Sequence, residues 1–85
     1  MHMEDETFGF EAALEAMKHG FGVRRTGWNG VGMTVRAQEP STLSKMTETY
    51  AYMAIPGAWG TDDDDTLIPW TPSQADLFAE DWIVL

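Results

Sequence analysis

No cysteine occurs in this 85-residue chain, and that absence narrows what it can fold into. A domain of this length buries only about 60 to 65% of the surface that its unfolded chain exposes. Without disulfides or thiolate-bound metal, nothing staples the core. Large side chains and burial between copies remain as sources of stability. Four Trp supply unusually large apolar payloads for so short a chain, and the small core predicts self-association. Zinc-finger, iron–sulfur and thiol-nucleophile chemistry are excluded at the same stroke.

Charge narrows the partners. Fourteen Asp or Glu against five Lys or Arg give a formal net charge of -9, which repels DNA and RNA backbones, because polymer binding rests on many cationic contacts to phosphate. A long nucleic acid is therefore not an expected partner. No apolar run approaches the roughly 20 residues that span a bilayer, and the acidic N-terminus lacks a signal peptide's basic and apolar regions. The sequence reads as one soluble domain over residues 1–85, without a membrane partner and resident in the cytoplasm.

Periodicity places the elements. Phe10, Ala13, Leu14 and Met17 follow the i, i+3, i+4, i+7 spacing of a helical face, with Glu11 and Glu15 toward its positive end, Lys18 and His19 toward its negative end, and Gly20 as a stop. Residues 21–25 and 31–37 alternate with period two around the turn-rich Gly27-Trp28-Asn29-Gly30, which predicts a hairpin. Val31, Met33, Val35 and Ala37 should share one face, with Thr34 and Arg36 on the other. Residues 38–48 read as a loop. Thr49 to Ile55 forms a third strand, with Tyr50 and Tyr52 on one face and Ala51, Met53 and Ile55 on the other.

A second loop holds Trp59 and the run Asp62 to Asp65. The run is not an EF-hand: counting from Asp62 puts Leu67 where the loop's Gly belongs and Ser73 where its Glu belongs. It reads as a solvated loop that binds no metal. After the short apolar stretch Leu67 to Trp70, Thr71 as N-cap, Pro72 at the first helical position and Gln74 closing a capping box predict a helix to about Ala79. The β-prone Trp82 to Leu85 then makes a terminal strand from Asp81. The predicted class is α+β: a small antiparallel sheet with an N-terminal helix packed on it and a short helix before the last strand.

Catalysis is hard to build from these residues. His19 is the only histidine beyond the N-terminus, Ser73 lacks a nucleophile elbow, and neither a phosphate-cradling loop nor a dinucleotide fingerprint occurs. Adjacent Glu80 and Asp81 point in different directions, a poor arrangement for acid–base work. The chain reads as a binding protein, not an enzyme, and needs no cofactor.

The basic residues carry the binding signal. Arg24, Arg25 and Arg36 all fall on the hairpin of an otherwise acidic chain. A guanidinium beside the Trp28 indole, with N–H groups at the Ser73-Gln74 helix start, could hold a phosphate and stack a base. Alternatively the arginines pair with carboxylates and Trp28 fills the core. Trp70 and Trp82 read as core residues, and Asp76 as a solvent-facing helix residue or a ribose acceptor.

Particular strings add to this reading. Phe10-Glu11-Ala12-Ala13-Leu14 through Lys18 and Gly20, then Val23, Arg25 and Gly27-Trp28-Asn29-Gly30, and finally Pro69-Trp70, Pro72-Ser73-Gln74, Asp76-Leu77 and Ala79-Glu80-Asp81-Trp82 resemble the second class of Thoeris anti-defence proteins. These are small phage sponges that sequester immune signalling nucleotides. The resemblance implies a homotetramer that holds glycocyclic ADP-ribose between subunits without cleaving it. For some relatives it extends to cyclic oligonucleotides of the CBASS system, that is, cyclic di- or trinucleotides. Carried onto this chain, it makes Trp28 and Trp70 stack on adenine and Arg25 meet phosphate, while Asn29, Ser73, Gln74 and Asp76 orient ribose or phosphate oxygens. Arg24, where small residues are usual, and the Trp59 to Asp65 insertion depart from the family pattern. A different reading of the same charge is an acidic decoy that blocks a host protein by mimicking nucleic acid.

Overall fold

The computed structural model describes residues 6–28, 32–57 and 65–85. Asn29, Trp59 and Asp62 to Asp64 fall outside the described residues. The elements in chain order are α1 (Phe10–Lys18), β1 (Val23–Arg25), β2 (Thr34–Gln38), β3 (Tyr50–Ile55), β4 (Thr66–Pro69), α2 (Gln74–Phe78) and β5 (Trp82–Val84). The strands form one sheet of order β4-β3-β2-β1-β5, with every neighbouring pair antiparallel. This is the α+β class that the periodicities predict.

Helix α1 ends in a Schellman arrangement. Gly20 at φ 92° lets its own N–H reach the Met17 carbonyl and the Phe21 N–H reach the Ala16 carbonyl, each at 3.0 Å. A residue with a Cβ would be strained there. The chain then enters β1 with Val23 fully buried.

Cross-strand partners share a face of the sheet, so Val23, Val35 and Met53, which lie opposite one another through the register, project together. Ala13 and Met17 of α1 pack on them, and Trp82 completes the core as its largest fully buried side chain. Helix α1 lies over β1, β2 and β5. Leu14, predicted on the inward face, is 40% exposed, because the helix leans to that side of the sheet and leaves β3 and β4 barely covered.

Several boundaries differ from the sequence reading: β1 begins at Val23 and not at residue 21, and β2 spans Thr34–Gln38 and not residues 31–37. The apolar stretch that begins at Leu67 lies mostly in an edge strand, Thr66–Pro69, paired with β3 from Ile55↔Thr66 to Tyr52↔Pro69, with Trp70 just beyond it. Helix α2 is capped by Ser73, not Thr71, and Asp76 rather than Gln74 closes the capping box. The shift moves Pro72 outside the helix. Its cause is tertiary: Asp76 is held by groups on β1 and the turn after it, so the box forms where its carboxylate can serve both.

The opposite face of the sheet carries Arg24, Thr34, Arg36 and Tyr52. A shallow hollow of about 540 Å³ there is lined by Thr34, Arg36, Tyr52, Ala54 and Asp65 among others. No described helix packs on this face.

Candidate ligand-binding site

The β1–β5 register sets Arg25 directly opposite Trp82, on the helix-covered side of the sheet and beside the start of α2. Its guanidinium meets two carboxylates. Nε donates to Asp81 Oδ1 at 2.8 Å and Nη1 to Asp76 Oδ1 at 3.0 Å. Nη2 has no hydrogen-bond partner among the described residues.

Asp76 is the hub. It is 8% exposed, against the sequence expectation of a solvent-facing helix residue, and both its oxygens are occupied. Oδ1 accepts from Arg25 and, at 3.4 Å, from the Trp28 indole N–H. Oδ2 accepts the Ser73 backbone N–H at 3.0 Å, and Ser73 Oγ accepts the Asp76 N–H at 3.1 Å. Burial pushes its carboxyl up, yet hydrogen bonds from Ser73, Arg25 and Trp28 outweigh that and hold it below the usual carboxylate value. The Asp76 carbonyl also accepts the Trp82 indole N–H at 3.0 Å, so this fully buried Trp has a satisfied polar tip.

Asp81 is the second anchor, and the sequence reading missed it. Besides Arg25 it accepts the Gly27 backbone N–H at 2.9 Å and the Thr26 hydroxyl at 3.4 Å, while its carbonyl takes the Thr26 N–H at 3.0 Å. The hydrogen bond from Arg25, opposed by some burial and aided by Gly27, lowers its pKa. Hydrogen bonds to Asp81 and Asp76 in turn raise that of Arg25. An Arg on the inward side of a strand calls for acidic partners, and that requirement is the signal that could have found Asp81.

The aromatic rings form one cluster. Trp28 meets Trp82 edge-on with centroids 5.3 Å apart, and Trp70 meets both Trp82 at 6.0 Å and Trp28 at 6.3 Å. Phe10 closes the group from α1 at 5.5 Å from Trp82. Trp28 and Trp70 are half-buried: each packs an edge on the core while part of its surface remains accessible.

The structure therefore brings together Arg25, Trp28, Trp70, Ser73 and Asp76. Gln74 sits exposed at the first position of α2, and Asn29 lies outside the described residues. The arginine island is divided: Arg24 and Arg36 project from the opposite face, opposite Ile83 and Tyr52, and Arg36 Nη1 donates to the Gly20 carbonyl at 3.4 Å. Chemically, the cluster offers one guanidinium edge, two indole surfaces and the exposed polar residues Ser73 and Gln74. One guanidinium between two carboxylates leaves the cluster with a net negative charge.

The profile of the Thoeris anti-defense 2-like domain matches residues 8–85 of this chain. The chain belongs to the Thoeris anti-defense 2-like family. A characterised relative, Thoeris anti-defense 2 of Bacillus phage SP01, is 32% identical over 82 residues, which cover 89% of this chain and 92% of the relative. Membership in the Thoeris anti-defense 2-like family supports an anti-defence role. Two of the three strings that carry the resemblance, Val23 to Gly30 and Pro69 to Trp82, contain the residues of the Asp76–Asp81 network. Among the described residues no helix is long and apolar enough to cross a membrane.

Proposed function

We propose that this chain is a nucleotide sponge. It binds an immune signalling nucleotide, glycocyclic ADP-ribose of Thoeris with cyclic di- and trinucleotides of CBASS as further ligands, and removes it from the defence effector without chemical change. The observation that carries this reading is the convergence of Arg25, Trp28, Trp70 and Ser73 around Asp76 in a member of a Thoeris anti-defence family. The accessible surfaces of Trp28 and Trp70 stack on adenine, and Arg25 Nη2 meets a phosphate oxygen. Asn29, Ser73 and Gln74 take ribose and phosphate oxygens, and nearly buried Asp76 serves by orienting Arg25 and Trp28.

Capture needs abundance and affinity, not a nucleophile, so the chain acts in the cytoplasm of the infected bacterium as a stoichiometric binder. It does so as a homotetramer with the ligand between subunits. Exposed Leu67, Phe78 and Leu85 give the small domain apolar surface to bury on assembly.

Calorimetry with glycocyclic ADP-ribose and the purified protein tests the reading, together with light scattering and the mass of nucleotide recovered after heating the complex. Binding at micromolar protein, several subunits per particle and an unchanged nucleotide mass are expected. Absence of heat, with no protection of the effector from its signal, overturns the sponge. A changed mass turns it into an enzyme.

A further inference from the structure

We infer that Asp81 is a positioning residue for the nucleotide site: through its contacts to Arg25, Thr26 and Gly27 it locks the turn that carries Trp28. The inference rests on the capture reading above and extends it to a residue that touches no ligand.

Three donors on three consecutive residues converge on this carboxylate. Arg25 gives Nε at 2.8 Å to Oδ1, while Gly27 gives its backbone N–H at 2.9 Å and Thr26 its hydroxyl at 3.4 Å to Oδ2. The Thr26 N–H on the Asp81 carbonyl doubles the tie. The turn is closed by the Trp28 N–H on the Arg25 carbonyl at 3.2 Å, so the Trp28 end is tied back to Arg25, and Arg25 to Gly27 are held by Asp81 just before β5.

Gly27 permits this approach by lacking a side chain. A Cβ there would stand 2.8 Å from Asp81 Oδ2 and 3.8 Å from Arg25 Nη2. Its φ is not positive, so the glycine serves the contact and not the backbone conformation. Asp76 and Asp81 divide the work. Asp76 fixes the indole N–H and one guanidinium nitrogen, and Asp81 fixes the backbone between them. With Nε and Nη1 both engaged, the guanidinium is held against rotation about its axis, and Nη2 is its donor without a partner among the described residues. Holding a stacking ring and a donor in advance lowers the ordering cost of binding.

Asp81→Asn, Asp81→Ala and Gly27→Ala, alone and with Asp81→Asn and Gly27→Ala combined, test this with glycocyclic ADP-ribose as the probe. Affinities are measured at a temperature where each variant is fully folded, so that a role in global stability alone moves none of them. Asp81→Ala and Gly27→Ala are each expected to weaken binding about tenfold. Asp81→Asn, which keeps an acceptor for the Gly27 N–H, should weaken it less, and the double variant no more than the worse single one. Faster hydrogen exchange of the Gly27 amide in Asp81→Ala, read without ligand, is the accompanying local sign. Wild-type affinity in the folded variants, or fully additive losses, overturns the assignment. Failure of the wild type itself to bind overturns the capture reading first and this assignment with it. Should the Asp81 variants not fold, Gly27→Ala decides: full affinity there refutes the lock.

Discussion

The Trp28 indole and the Arg25 guanidinium share one carboxylate oxygen of Asp76: Oδ1 accepts the indole N–H at 3.4 Å and the guanidinium N–H at 3.0 Å. The aromatic and cationic halves of the proposed ligand site are thus positioned by the same buried atom. The two alternatives left open by the sequence, that Trp28 is core and its arginine paired or that both serve a ligand, are not exclusive, since Arg25 is paired and Trp28 is half core.

Removing the hub should cost stability as well as binding. Asp76→Ala leaves the Ser73 N–H and the Trp28 indole without an acceptor, and losing a partly buried charged acceptor is worth about 2 to 3 kcal/mol. Urea unfolding should show that decrease, and nucleotide titration a loss of affinity beyond it.

Acidification should expose the two aspartates. Asp76 and Asp81 both have folded pKa values below the ordinary carboxylate value of 3.8. The stability they contribute is therefore present above that value and is lost as pH falls through their lowered folded values. The urea midpoint of the wild type should fall steeply with pH in that acid range, and the fall should be shallower in Asp76→Asn and Asp81→Asn.

The tryptophans should separate by burial. Trp82, fully buried, is structural: Trp82→Ala should cost about 3 to 5 kcal/mol and abolish folding in so small a domain. Trp28→Ala and Trp70→Ala should remain assembled and lose roughly 5- to 150-fold in nucleotide affinity if each ring is a stacking platform. Melting temperature, light scattering and calorimetry on the same samples distinguish the outcomes. A folded variant that binds fully removes its ring from the site.

Arginines on the two faces should differ. Arg25→Lys keeps the charge but cannot span Asp76 and Asp81 with separate nitrogens, and about 1 to 2 kcal/mol of stability should go with it. Exposed Arg36 donates to one carbonyl, so Arg36→Lys should stay within about 0.5 kcal/mol of wild type. Thermal unfolding of the pair measures the contrast.

Neutralising Asp62 to Asp65 separates the sponge from the acidic decoy. Nucleotide capture should survive or improve as negative charge is removed, whereas mimicry of nucleic acid would be lost. Defence inhibition in cells carrying a nucleotide-dependent effector reads the difference.

Much of the fold was legible because its causes are local. The apolar spacing of Phe10 to Met17 yields α1, Gly20 ends it, and the alternation of residues 34–38 and 50–55 yields β2 and β3 with Tyr52 and Met53 on the faces predicted. Each follows from helical or strand period and from what a Cβ allows within a few residues. The family strings named the residues of the proposed site as well. What they do for one another was not legible. Arg25 lies 51 residues from Asp76 and 56 from Asp81, and these groups meet only because β5 returns to pair with β1. That pairing depends on burying Trp82 under α1, a gain that neither segment obtains alone. The same long-range contact moved the α2 cap to Ser73 and buried an aspartate that helical position alone left in solvent. Propensity and period fix where a side chain points along its own element. Which distant group it meets is decided by the packing that lowers the free energy of the whole sheet.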